Sequence, residues 1–220
     1  MSVHLQREID KVKKDLLGLC AMVEEQVQMA VKALLERDPD LARRVERGDN
    51  EIDQREVEVE EECLKVLALH QPVASDLRFI VSALKMNSDL ERIGDLAVNI
   101  ARKAANFCNQ PAMEIPFDLE GMWQKTQRML RDSLDALVNL DGRLANSVCA
   151  RDNEVDQMKK EIRHKAEAAM QSDPARVPSY LTLLAVSRNL ERIADHATNI
   201  AEDVIYMNDG RIIRHLGGEA

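Results

Sequence analysis

Leu90-Glu91-Arg92-Ile93-Gly94-Asp95-Leu96-Ala97-Val98-Asn99-Ile100-Ala101 returns further along the chain as Leu190-Glu191-Arg192-Ile193-Ala194-Asp195-His196-Ala197-Thr198-Asn199-Ile200-Ala201, with nine of the twelve positions identical. The shared apolar residues Ile93, Ala97 and Ile100 fit one side of a helix. The shared polar residues Glu91, Asp95 and Asn99 fall at i, i+4 and i+8 and line another side. A duplicated core needs only the first set. Retention of an oxygen-bearing stripe needs a reason of its own.

Upstream, Asp49-Asn50-Glu51-Ile52-Asp53-Gln54 reappears as Asp152-Asn153-Glu154-Val155-Asp156-Gln157. The offset is 103 here and 100 at the first motif, so a few residues were gained or lost between them. Each half thus carries two carboxylate pairs at i, i+4: Asp49/Asp53 with Glu91/Asp95, and Asp152/Asp156 with Glu191/Asp195.

A chain of 220 residues is long enough to bury a substantial core. Aromatics make up only 3%, while Leu, Ala, Val, Met, Glu and Arg abound, which favours helices over sheets. A net charge of −9 excludes nucleic acid as the main partner, because a phosphate backbone demands a basic face. Cys20, Cys63, Cys108 and Cys149 form no CxxC pair. Dispersed free thiols suit the cytoplasm, and the first three read as small core residues. Met1 to Lys14 is charged throughout and lacks an apolar signal segment. No run approaches the ~18 apolar residues of a membrane helix. A soluble protein is expected, with membrane contact only through partners.

All six prolines fall between periodic stretches. Asp38-Pro39 reads as an N-cap followed by proline at the first helical position. Pro72, the Pro111/Pro116 pair, Asp141-Gly142 and the Pro174/Pro178 pair mark the other breaks. The periodicity predicts helices near 3–36, 40–70, 74–107, 118–140, 143–171 and 178–207. Leu5, Ile9, Val12, Leu16, Leu19, Val23, Val27, Ala30 and Leu34 form a heptad-like seam on the first. The expected fold is all-α: two tandem similar three-helix bundles, six long helices in an internal duplication. The bundles span 1–109 and 118–220, joined by a linker at 110–117.

A solvated face usually explains a charged helix stripe. Such a face is normally laced with Glu-to-Lys pairs at i+4, yet here Glu91 is followed by Asp95 and Asp95 by Asn99. Like charges at that spacing cost ~0.2–0.5 kcal/mol per pair. Asp is also a poor mid-helix residue, and it recurs in all four motifs. A multivalent cation resolves the conflict. Asp, Glu and the Asn amide are hard oxygen ligands suited to magnesium, manganese, calcium or ferric iron. The candidate metal ligands are Asp49, Asp53, Glu91, Asp95 and Asn99 in one half, with Asp152, Asp156, Glu191, Asp195 and Asn199 in the other. They would converge where the second helix of a bundle lies beside the third. Arg92 and Arg192 each precede an Asp by three residues and would either neutralise it or hold a ligand in place.

Other residues carry less. His196 stands where the first copy has Leu96, so ligation is not its expected role. His70 sits at a helix end as a cap, and His4, His164 and His215 show no partner spacing. Trp123 and Tyr180 read as packing residues. Glu56 and Glu60 flank the first site but are not repeated by Met158-Lys159-Lys160, so they read as peripheral. No nucleophile–base pair or glycine-rich phosphate loop is present, and no enzymatic activity is predicted. A ferritin-like di-metal oxidoreductase is the alternative, but that class uses Glu-x-x-His, and neither repeated motif carries it. A purely structural helical scaffold is the third reading.

The two Leu-Glu-Arg-Ile-x-Asp copies, the two Asp-Asn-Glu-(Ile/Val)-Asp segments and the tandem layout together resemble the PhoU family over about 5–207. Ala194 departs from the glycine more usual at that place, which Gly94 keeps. Lys103 and Asp203 differ between the halves, so unequal metal binding is expected. The resemblance implies metal clusters on the acidic faces, with iron, zinc, magnesium or manganese as candidate ions. It also implies a cytoplasmic regulator linking the ATPase subunit of the phosphate ABC transporter to a phosphate-sensing histidine kinase. Such proteins restrain uptake when phosphate is abundant. Long amphipathic helices suit a homodimer.

Overall fold

The computed structural model describes residues 3–210; His215 lies outside them. The described chain is all-α, with six helices: α1 (Val3–Leu35), α2 (Pro39–His70), α3 (Ala74–Cys108), α4 (Leu119–Asn139), α5 (Gly142–Ser172) and α6 (Val177–Asp209). A short 3-10 turn at Pro174–Arg176 leads into α6, which the sequence pattern did not resolve.

The breaks are made by caps. Asp38 accepts hydrogen bonds from Asp40 N (2.9 Å) and Leu41 N (3.0 Å), with Pro39 opening α2. Asp118 caps α4 through Gly121 N at 2.8 Å. Asp141 caps α5 through Arg143 N and Leu144 N, so Asp141-Gly142 is a helix start after a sharp turn. The C-terminus of α3 is closed from far away in sequence. Arg37 donates to Phe107 O (2.9 Å) and Cys108 O (3.2 Å) and lies 4.8 Å over the Phe107 ring. A cation there satisfies orphan carbonyls and complements the helix dipole.

The α1 seam from Val12 to Leu34 is buried. Ile52, Val59, Cys63 and Val66 of α2 and Leu90, Ile93, Ala97 and Ile100 of α3 complete the first core. The second repeats the scheme with Met129, Leu130 and Leu137 of α4, Val155 and Ile162 of α5, and Leu190, Ile193, Ala197 and Ile200 of α6. Trp123 and Tyr180 are buried as packing residues. Cys20 and Cys63 are buried, whereas Cys108 is only half-buried, as is Cys149. Desolvation pushes the Cys20 and Cys63 thiols up to about 12, which keeps them un-ionised.

The lobes share one seam. Besides its own partners α1 and α2, α3 packs along α6, which also holds α4 and α5. The two run antiparallel, because successive α3 residues meet earlier α6 residues. Lys85 lies 3.6 Å from Asp203 and 5.5 Å over the Tyr206 ring. Asp89 accepts from His196 Nδ1 (2.7 Å) and Asn199 Nδ2 (3.1 Å). His196 is therefore a seam residue, which explains why the first copy has no counterpart. Asp203 belongs to the same seam rather than to an acidic face.

Removing Asp89 strands both donors. Asp89 and His196 have side chains only 14% and 17% exposed, so Asp89→Ala should cost about 1–3 kcal/mol. Thermal unfolding should show a fall of several degrees, and Asp89→Asn, which keeps an acceptor, should recover part of it.

Candidate metal centre: two acidic faces

Each acidic face forms where the middle helix of a lobe lies against the third. In the first lobe the approach is set by Gly94. A Cβ built there would sit 3.3 Å from the Ile52 side chain and 3.8 Å from Asp49 Oδ1. That contact brings Asp49 beside Asp95. The second lobe tolerates the Ala194 methyl, which is fully buried.

In each half the charges of four of the five ligand candidates act on one another across the middle and third helices. In the first lobe, burial raises the Asp49 carboxyl above its ordinary range, opposed by Gln26, which donates to Asp49 Oδ1 at 3.3 Å. The charges of Asp53 and Asp95 push it further up. Burial likewise raises Glu91, aided by Asp95, Glu56 and Asp53. In the second, burial and then Asp156 raise Asp152, while Thr198 lowers it by donating at 3.4 Å. Asp195 is raised to about 6 by burial first, then by Glu191, Asp152 and Asp156. Among the described residues no three acidic, thiol or imidazole side chains close on one point as they stand. Each face nevertheless carries several like charges that raise one another's proton affinity.

Of the two asparagines, Asn199 departs from the expectation. Asn199 turns its amide to Asp89 across the seam, and Asn99 is exposed. The reason is helical phase. At 100° per residue, position i+8 lies about 80° from Glu91 or Glu191, whereas i+7 lies only about 20° away. The face therefore continues through Thr198, which reaches Asp152, and not through Asn199.

Glu56 was the residue that spacing alone could have placed. It stands at i+7 from Asp49, is half-buried, and its Oε1 accepts from buried Asn87 at 3.2 Å. Its position in the second lobe is taken by Lys159, which hydrogen-bonds Glu191 and lies 3.9 Å from Asp156. The arginines differ too. Arg92 lies 3.4 Å from Glu91 and 3.2 Å from Asp95, neutralising as expected. Arg192 is exposed, Glu191 having been engaged by Lys159.

The donor set of the first face is all oxygen: Asp49, Asp53, Glu56, Glu91 and Asp95. That chemistry fits a hard or borderline multivalent cation. A ferritin-like centre fits poorly. A Glu-x-x-His spacing does occur on α5, at Glu161 and His164, but His164 is 81% exposed and 3.9 Å from Glu167.

Comparison with known proteins locates this architecture. The PhoU domain model matches the chain twice, at residues 16–104 and 119–204. The chain belongs to the PhoU family. Each of the two PhoU matches encloses one acidic face. A phosphate-specific transport system accessory protein PhoU homolog of Pseudomonas putida is 39% identical over 218 residues, spanning 99% of this chain and 85% of that protein. The accessory protein PhoU of Escherichia coli K12 is 35% identical over 219 residues, spanning 100% and 91%. The crystal structure of PhoU from Pseudomonas aeruginosa superposes with a TM-score of 0.90 at 40% identity, covering 94% of this chain and 99% of that one. The phosphate transport system regulatory protein PhoU of Streptococcus pneumoniae gives 0.83 at 30% identity, covering 94% and 98%.

The raised Asp195 carboxyl makes a pH-dependent stability penalty. Below the unfolded value of 3.8 both states hold the proton and nothing is lost. As pH rises toward the folded value of about 6, the unfolded chain releases its proton first and the fold is disfavoured. Asp195→Asn should therefore stabilise at alkaline pH, by on the order of 1 kcal/mol after solvent screening of an exposed group. Urea unfolding at about pH 8 should show the gain, and near pH 4 it should have largely gone.

Proposed function

We propose that this chain is a cytoplasmic negative regulator of phosphate uptake and of the phosphate-starvation response. The observation that carries the reading is similarity over essentially the whole chain to accessory proteins of phosphate-specific transport systems. The proposed partners are the ATPase subunit of a phosphate ABC transporter and a phosphate-sensing histidine kinase, engaged by a homodimer. Among the described residues no helix is long and apolar enough to cross a membrane, so contact with the bilayer would run through those partners. The work is protein binding, with no catalytic step.

The acidic face of the first lobe would hold metal, iron, zinc, magnesium or manganese, through Asp49, Asp53, Glu56, Glu91 and Asp95. A bound cation would supply charge neutralisation there. The residues themselves would then draw α2 onto α3, replacing repulsion by a shared counter-ion. Such a contact stiffens the lobe without altering its core.

Deleting the gene should derepress phosphate-starvation genes in cells grown in abundant phosphate. A transcriptional reporter measures this, and a plasmid copy of the chain should restore repression. An unchanged reporter after deletion would overturn the regulatory reading.

A further inference from the structure

The two acidic faces occupy equivalent places but differ chemically. The 103-residue offset that maps Asp49 and Asp53 onto Asp152 and Asp156 also maps Glu56 onto Lys159 and Glu60 onto Arg163. Two acids in one lobe are two bases in the other. Arg163 is spent on Glu167, 2.9 Å away on its own helix. Lys159 is not. It crosses from α5 to α6, hydrogen-bonds Glu191 and lies 3.9 Å from Asp156, with 35% of its side chain exposed against 14% for Glu191. Its charge also acts on Asp152 and Asp195. One ammonium thus faces all four carboxylates of the second face.

The first face has no equivalent. Arg92 pairs with Glu91 and Asp95, but it lies on α3 beside them and is 57% exposed, so it does not bridge the helices. Arg102 acts on Asp49 while pairing with Glu46 at 3.5 Å. The α2 carboxylates Asp53 and Glu56 meet no ion-pair partner among the described residues. Glu56 instead adds a further charge, held in place by Asn87.

We infer that Lys159 is the resident counter-ion of the second face, so that the first face alone takes an inorganic cation. This rests on the cation reading given above. An ammonium on a four-carbon stem supplies three donors and one positive charge to a carboxylate group. A metal ion entering the second lobe would have to break the Lys159–Glu191 bond and then sit beside a like charge. In the first lobe the same ion meets five carboxylates with no cation among the described residues bridging them from one helix to the other, since Arg92 stays on the α3 side and is 57% exposed.

Mn2+ is the probe, followed by the loss of its free-ion EPR signal on titration into the full chain stripped with EDTA. Wild-type binding should weaken at least about tenfold in Asp95→Asn and stay unchanged in Asp195→Asn. Glu56→Lys should weaken it as Asp95→Asn does, and Lys159→Glu should create a second class of bound ion. Lys159→Met removes the ammonium without adding charge. It should also create that second class, and helical circular dichroism confirms folding in each variant. Equal weakening by Asp95→Asn and Asp195→Asn, or no added binding in either Lys159 variant, overturns the inference while leaving the cation reading intact. No Mn2+ binding by the wild type overturns the cation reading itself. Second-class binding confined to the Lys159 variants would then still support Lys159 as the counter-ion.

Discussion

Ile93→Ala should destabilise the protein by about 3 kcal/mol, within the ~2–5 kcal/mol range for truncating a buried isoleucine. Ile93 is fully buried in the first core, at the centre of the motif that defines the fold. Truncation removes three carbons and leaves a void in a core held by three long helices. With a total stability of ~5–15 kcal/mol, that loss removes a large share of the margin. Its repeat counterpart Ile193 is equally buried, and Ile193→Ala should cost a similar amount. Arg92, the next residue upstream, is 57% exposed, and Arg92→Ala should stay within about 0.5 kcal/mol. Urea unfolding of the three variants measures the contrast. Equal, small effects would mean that the duplicated motif does not organise the two cores.

The second large effect has opposite signs in two buffers. Asp53→Asn combined with Asp95→Asn removes two of the charges that push Asp49 and Glu91 up. In EDTA the double variant should be slightly more stable than the wild type. The gain is under about 1 kcal/mol, because the exposed Arg92–Asp95 pair is lost at the same time. In Mn2+ at about a hundred times its dissociation constant, the wild type should gain ~2.7 kcal/mol by mass action. For a chain of this size that is roughly 5–10 °C in melting temperature. The double variant should gain nothing. Thermal melts with EDTA and with Mn2+ read both signs, and a crossing of the two proteins is the expected signature. A parallel shift of wild type and variant would place the ion elsewhere.

Helix order and ends were legible because the breaks are chemical and local. Asp38-Pro39 and Asp141-Gly142 carry their own caps, and the apolar spacing between them has no competing period. The cores followed from the same spacing. The seam between the lobes was not legible, since Asp89 lies more than a hundred residues from both His196 and Asn199 and none of the three breaks a local rule. Arg37 likewise reaches the end of α3 from 70 residues away.

The acidic faces were legible in part. Asp and Glu at i, i+4 on α2, α3, α5 and α6 do come to shared faces, because paired helices present adjacent turns. Extending the stripe to i+8 carried Asn199 past the edge, where it turns to Asp89 across the seam. Extending it to i+7 reaches Glu56, and the duplication offset then exposes Lys159. Both signals were present in the sequence. Periodicity alone assigns no weight to a lysine that breaks a repeat, although that lysine decides whether a face needs an external charge.

On the proposed reading, α2 and α3 gather carboxylates around a single inorganic counter-ion in the first lobe. Anomalous diffraction from crystals of the full chain grown with Mn2+ tests it most directly. A strong peak is expected between the turn of α2 bearing Asp53 and the turn of α3 bearing Asp95, and none beside Lys159. A first lobe without a peak in saturating Mn2+ would rule that reading out.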